Sequence, residues 1–215
     1  MIVAGDYRTH TGLVDVIITD PPYSVRTHRG HDASGRAELG YMAWSDADAW
    51  SFAEWCSKRA CYWVVIITDH VLARVYEEAL AAQGLYVFAP IPHLCPGRSV
   101  RLAGDGPSSW TDWIVCARTK VAHDWGTLPG GYITRPERGM LRVGGKPLAL
   151  MHSLVSDYSR EGDTILDPCA GGGTTGVACR MLNRRFVGYE IDAGVAAKAN
   201  ARLEATRLGI QGVMV

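Results

Sequence analysis

Apolar residues fall in two rhythms along this chain. Short runs rich in Val, Ile, Tyr and Trp predict strands at about 1–4, 14–19, 62–68, 85–90, 110–118, 164–167 and 186–190. Between them, apolar positions recur at helical spacing. The pattern predicts a helix that opens after Asp46 as N-cap and runs to about residue 60, with Trp50, Ala53 and Cys56 inward. A second covers about 71–82, with Leu72, Val75, Ala79 and Leu80 toward the core and Gly84 as its stop. A third starts with Pro147 in the first helical position, carries Leu150, Met151, Leu154, Val155 and Tyr158, and is closed by Gly162. A fourth follows Thr174, and a fifth spans about 194–208 before Gly209. Strands alternating with helices predict an α/β fold with a mainly parallel sheet. Two stretches, 24–45 and 119–146, read as irregular, and irregular stretches of that length within a compact domain are functional or disordered.

Composition narrows this picture only a little. The 215 residues suit one substantial core, so a single domain over 1–215 is expected. The apolar runs, such as Tyr62–Thr68, are too short to span a bilayer. Asp6 arrives before the apolar core of a signal peptide could form, so a cytoplasmic location and no membrane contact are expected. The six cysteines (56, 61, 95, 116, 169, 179) show neither a paired motif nor zinc-like spacing. They read as reduced, mostly buried thiols. The seven histidines lack ligand spacing too, His28 and His31 falling in a loop rich in Gly and Arg, and no metal is expected.

Net charge is zero, yet its distribution is uneven. Residues 94–146 hold eight basic side chains (Arg98, Arg101, Arg118, Lys120, Arg135, Arg138, Arg142, Lys146) against four acids. The stretch after Tyr23 adds Arg26, Arg29 and Arg36. Arginine-rich loops on one side of a neutral protein suit phosphate tracking, and they suit a solvated surface almost as well.

Two segments carry chemistry. Asp20-Pro21-Pro22-Tyr23 follows the apolar run Val14–Thr19. Asp20 brings a carboxylate acceptor, and Pro21 or its neighbour a carbonyl. The two prolines fix φ and remove competing donors. Tyr23 adds a flat face on which a base can stack. Alone, the segment also fits a strand ending in a turn. The second, Asp167-Pro168-Cys169-Ala170-Gly171-Gly172-Gly173-Thr174-Thr175, joins a strand to a helix. Its glycines permit positive φ and close approach of a ligand, and the helix N-terminus that follows suits an anionic group. Phe186–Asp192 then ends a further strand in acids, at a distance suited to a cofactor ribose. Nicotinamide-binding folds are built similarly, but the glycine spacing here is not GxGxxG, and a flexible loop beside an exposed acid is the plainer alternative.

Together the two motifs resemble those of the β-class amino DNA methyltransferases, a circularly permuted group in which the catalytic tetrapeptide precedes the cofactor loop. The likeness extends over nearly the whole chain. Ala4-Gly5-Asp6 resembles the segment whose acid approaches the cofactor adenine, and Gly145-Lys146-Pro147-Leu148 the Lys-Pro element that covers the cofactor. Pro96-Gly97-Arg98 and Trp110–Val115 resemble the segments around the last two strands.

The resemblance implies a Rossmann-like fold with a mostly parallel seven-stranded sheet, one antiparallel strand, and helices on both faces. It implies S-adenosyl-L-methionine as cofactor, held by Asp6, Lys146, Pro147, Asp167, Pro168, Cys169, Ala170, Gly171, Gly173, Thr174, Thr175, Glu190 and Ile191. Asp20, Pro21, Pro22 and Tyr23 become the catalytic set, acting on the N6 amine of an adenine flipped out of double-stranded DNA. Cytosine N4 is the first alternative; RNA, or a non-catalytic subunit, are further ones. Arg26, Arg29, Arg98, Arg101, Arg135, Arg138 and Arg142 are the expected DNA contacts. Cys169 stands where the family often has a bulky aromatic. The target-recognition region is reduced to about 119–145, where Trp125 and Tyr132 join the arginines, so a short site, a homodimer or an accessory recognition partner is expected. The stretch 24–45 is expected to be a mobile loop that orders over the flipped base.

Overall fold

The computed structural model of the chain describes residues 1–32, 41–98, 106–120, 125–137, 139–141 and 144–207. Five strands form its parallel half: β1 (Ile2–Ala4), β2 (Val14–Thr19), β3 (Ala60–Thr68), β8 (Thr164–Asp167) and β9 (Arg185–Glu190). They stand in the order β1-β9-β8-β2-β3. Strand β6 (Thr111–Arg118) runs antiparallel to β3 and carries β4 (Tyr86–Val87) and β5 (Ile91–Leu94), both antiparallel to it, while β7 (Tyr132–Ile133) closes the edge parallel to β5. Among the described residues the sheet is thus mixed and nine-stranded, against the seven strands with one antiparallel expected. The run read as one strand at 85–90 is cut at Val87. It resumes at Ile91, beyond Pro90, which has no N–H to donate to a ladder. Strand β7 has two residues, too few to show a period.

The central strands are buried on both faces and therefore read as continuous apolar runs. On β2, Ile17 faces one core with α2 (Asp46–Ser57) and α3 (Ala73–Ala82), whereas Val16 and Ile18 face another with α4 (Leu148–Tyr158) and α5 (Thr174–Met181). Helix α6 (Ala193–Ala205) packs on β1 and α5 through Ala196, Ala199 and Leu203. The five apolar residues expected inward on α4 are all buried.

Several local expectations shift. The N-cap of α2 is Ser45, one residue earlier than Asp46, because Ser45 and Asp48 form a reciprocal capping box. Trp50 remains 39 % exposed while Ala49 and Phe52 take the inward positions. Pro147 precedes α4 as its cap, and the helix stops at Ser159, ahead of Gly162. Residues Val25–Asp32, expected to be loop, form α1 and bring His28 and His31 onto a helix. That start is tied down by the residue that follows β3. The Asp69 carboxylate accepts from the Ser24 hydroxyl at 2.6 Å, the Thr27 hydroxyl at 2.5 Å, and the Ser24 N–H at 2.9 Å. Gly209 and residues 33–40 of the expected mobile loop lie outside the described residues. Among the described residues, no helix is long and apolar enough to cross a membrane, and all six cysteines are free.

Candidate active site

The carboxyl ends of β1, β9, β8 and β2 open on one crevice, where ligands of α/β sheets bind. Neighbouring β2 and β8 are in register, with Ile17 opposite Leu166, so the segments after Thr19 and Asp167 meet although they are distant in sequence. Between them lies a cavity of about 340 Å³, of the size small-molecule sites use. Asp20 and Pro22 line it with Lys146, Asp6, Glu190, Ile191, Thr174, Thr175 and the loop Asp167–Gly172. Pro147, Gly173, Pro21 and Tyr23, expected in the site, are neighbours in sequence of lining residues but do not line the cavity themselves.

Asp20 lines the cavity in contact with Lys146. Lys146 donates from Nζ to Asp20 Oδ2 at 2.8 Å, while Oδ1 is buried and has no hydrogen-bond partner among the described residues. Burial pushes the Asp20 carboxyl up, and the Lys146 charge and hydrogen bond only partly offset this. An unpaired buried acceptor is costly, by about 1–3 kcal/mol. Such a group in a cavity is poised for a ligand donor. Lys146 was expected over the cofactor; here its ammonium also lies 4.8 Å above the centre of the Tyr23 ring.

The glycine loop is shaped by its backbone. Gly171 and Gly173 have φ of +49° and +76°, where an L side chain is strained. A Cβ on Gly173 would come within 2.9 Å of Leu203 Cδ1. Asp167 holds the loop from below, accepting from the Thr175 hydroxyl at 2.5 Å and the Cys169 N–H at 3.1 Å. Burial pushes its carboxyl up to about 6, against these hydrogen bonds. Glu190 is buried at the end of β9 and accepts the Asp192 N–H at 3.0 Å. Asp6 turns its carboxylate onto Arg8 and caps the short helix that follows, so it meets the cavity from beside that ion pair.

Sequence reasoning did not assign Tyr7, Tyr41, Met42, Trp44, Met151 and Tyr189 to the site, and they line the cavity too, with Gly5, Gly144 and Gly145. It also missed a polar cluster behind Tyr23. The Tyr23 hydroxyl donates to Asp112 Oδ1 at 3.0 Å, and Asp112 Oδ2 is shared by His93 Nδ1 at 3.1 Å and the Arg98 guanidinium. Burial alone would raise the Asp112 carboxyl. Lys146, His93 and Arg98 outweigh it and hold the group well below the usual carboxylate range. Only the acid of Trp110–Val115 signalled this; nothing in the sequence pairs it with Tyr23.

The expected DNA contacts divide. Arg26 and Arg135 are exposed. Arg98 spends its guanidinium on buried Asp112. The side chain of Arg29 and all of Arg101, Arg138 and Arg142 lie outside the described residues. Trp125 and Tyr132, counted toward the recognition region, are packing residues instead. Trp125 meets the Trp63 ring edge-on at 5.8 Å under the Arg160 guanidinium, and buried Tyr132 donates to Asp157 at 2.7 Å.

A mixed α/β sheet with this glycine loop and crevice has the fold of the S-adenosylmethionine-dependent DNA methyltransferases. The chain superposes on the complex of M1.HpyAVI with SAM at a TM-score of 0.68 and 22% identity, covering 89% of each chain. It superposes on the cytosine-N4-specific PvuII DNA methyltransferase at 0.67 and 12% identity, covering 94% of this chain and 85% of that one.

Residues 143–201 match the N6/N4 family model described as DNA methylase. The type II methyltransferase M.HindIII of Haemophilus influenzae is 40% identical over 79 residues, 37% of this chain and 24% of that protein. M2.DpnII of Streptococcus pneumoniae is 43% identical over 60 residues, 28% and 22%. The matched segments thus span less than a quarter of these relatives' own length. Family model and relatives together support the amino DNA methyltransferase family for this chain.

Proposed function

We propose that the protein transfers a methyl group from S-adenosyl-L-methionine to an exocyclic amine of a flipped DNA base, adenine N6 in the first instance. The observation that carries this reading is Asp20. One carboxylate oxygen is held by Lys146 and the other is buried without a partner among the described residues, at a cavity that the glycine loop also lines. A base amine is a poor nucleophile because its lone pair is delocalised into the ring. An acceptor that takes its hydrogen draws the nitrogen toward tetrahedral geometry as the new bond forms, and the unpaired Oδ1 suits that role. The Tyr23 ring would support the base, since its hydroxyl is already spent on Asp112.

The cofactor fits the residues present. Gly171 and Gly172 line the cavity with bare backbone, which lets a ligand approach closely, and Glu190 lines it at the end of the neighbouring strand, a position that suits ribose hydroxyls. When bound, S-adenosylmethionine supplies an electrophilic methyl group on a sulfonium centre; the protein's part is to orient that centre toward Asp20 and keep water out. The Asp form of the tetrapeptide favours adenine, and the likeness to a cytosine-N4-specific enzyme keeps cytosine N4 as the second reading. Double-stranded DNA as substrate, a second copy or accessory partner for recognition, and a cytoplasmic setting belong to the same proposal.

The test is incubation with labelled S-adenosylmethionine and mixed genomic DNA, followed by digestion and identification of the methylated nucleoside. N6-methyladenine is the expected product, and N4-methylcytosine would move the substrate and keep the chemistry. Asp20→Ala should abolish transfer while leaving cofactor affinity by calorimetry unchanged. Full activity in that variant would sink the assignment, and cofactor binding without any transfer would favour a non-catalytic subunit or an RNA substrate.

A further inference from the structure

We infer that Asp112, His93 and Thr134 form a positioning relay that ties the base platform, Tyr23, to the reduced recognition segment; this rests on the reading of Tyr23 given above. Four elements contribute. Tyr23 follows β2, Asp112 lies on β6, His93 on β5, and Thr134 directly follows β7. His93 and Asp112 are register partners across the β5–β6 pair, and His93 is in turn the partner of Tyr132 on β7. Their side chains make one unbroken chain of hydrogen bonds. The Tyr23 hydroxyl donates to Asp112 Oδ1 at 3.0 Å, Asp112 Oδ2 faces His93 Nδ1 at 3.1 Å, and His93 Nε2 faces the Thr134 hydroxyl at 2.8 Å.

The direction of this chain follows from its chemistry. An ionised carboxylate only accepts, so Tyr23 and His93 Nδ1 must both donate to Asp112. Arg98 adds a third donor and keeps the charge compensated at a side chain that is only 3 % exposed. His93 is fully buried. Groups this deep cannot exchange protein partners for water without cost, so a displacement at one member is passed to the next rather than absorbed by solvent. His93 and Asp112 are buried, whereas Thr134 is half-buried. Its N–H is pinned to the Leu94 carbonyl at 2.9 Å, and the next residue, Arg135, is exposed. Glu137 then caps α4 by accepting the Leu148 N–H at 2.7 Å, two positions beyond Lys146. A nucleic-acid contact made at Arg135 therefore lies one residue from the outer end of a chain whose inner end sets the orientation of the Tyr23 ring. The relay also explains a tyrosine, with its hydroxyl, at a position where any aromatic face would stack.

A double-variant cycle tests this with the full chain, genomic DNA and labelled S-adenosylmethionine. Thr134→Val removes the outer link without touching the cavity. It should slow single-turnover transfer about three- to tenfold, the worth of one hydrogen bond, with KM for DNA and cofactor affinity unchanged. Thr134→Ser, which keeps the hydroxyl, should restore the rate. Tyr23→Phe breaks the inner link, and the double variant should be no slower than Tyr23→Phe alone. A wild-type rate in Thr134→Val, a loss carried by KM alone, or two losses that multiply would each overturn the relay. Should the wild-type protein transfer no methyl group, the proposed function fails separately, and thermal unfolding of the same four proteins decides the relay. Losses in Tm that are less than additive uphold it, and additive losses overturn it.

Discussion

Lys146→Met keeps most of the side-chain length and removes its charge, which isolates what the ammonium does for Asp20. The pair is largely shielded from water, with the Lys146 side chain 7 % and the Asp20 side chain 23 % exposed. At 2.8 Å and an effective dielectric constant of about 20, unit charges attract by roughly 6 kcal/mol. That figure bounds the interaction from above, because the stem and a water can recover part of it. Even a quarter of it corresponds to about tenfold in rate. Burial already pushes the Asp20 carboxyl up, and Lys146 is the largest influence opposing it. Without the ammonium the carboxyl therefore holds its proton to higher pH, and an acceptor needed by the base amine becomes a donor. Single-turnover methyl transfer at saturating cofactor should fall at least about tenfold at neutral pH and recover as the pH is raised. Lys146→Arg should retain much of the wild-type profile. A Lys146→Met enzyme with wild-type rate at neutral pH and an unshifted acid limb would refute the reasoning, and would reduce Lys146 to a part of the cavity wall.

Two further perturbations address the glycine loop. Gly173→Ala combines a left-handed φ of +76° with a Cβ 2.9 Å from Leu203 Cδ1; a cost of about 2 kcal/mol should lower Tm by roughly 4–8 °C in scanning fluorimetry and weaken cofactor binding, and an unchanged Tm would show that the loop has another conformation. The Asp167 carboxyl is raised from 3.8 to about 6, so its contribution to stability is fully present below its unfolded value and is lost as the pH rises through the folded one. Relative to Asp167→Asn, the wild-type protein should lose about 3 kcal/mol of stability between about pH 3, below the unfolded value, and about pH 7, above the folded one. Urea unfolding of both proteins at the two pH values measures that difference, and parallel pH curves would contradict it.

The sequence by itself determined the elements that are long or chemically marked. Strands β2 and β3 and the middle of β6 are legible because central strands buried on both faces read as apolar runs, and β8 and β9 because each is a short apolar run closed by an acid. The two motifs are legible because each combines residues whose backbone constraints are unusual, prolines after Asp20 and glycines after Ala170. Their meeting in one crevice was legible only through resemblance to a family whose strand order was known.

Tertiary structure alone decided the rest. The short strands β5 and β7, and the break that ends β4 at Val87, exist because β6 and its neighbours supply ladders, which two- to four-residue segments cannot signal on their own. Trp125 and Tyr132 looked like contacts for a base, and they became packing residues once α4 and β3 came against them. The Asp20–Lys146 pair and the chain from Tyr23 to Thr134 join residues from distant parts of the sequence. No local pattern encodes such pairings. A buried carboxylate must find donors wherever the fold brings them, and which donors arrive is a property of the packed sheet.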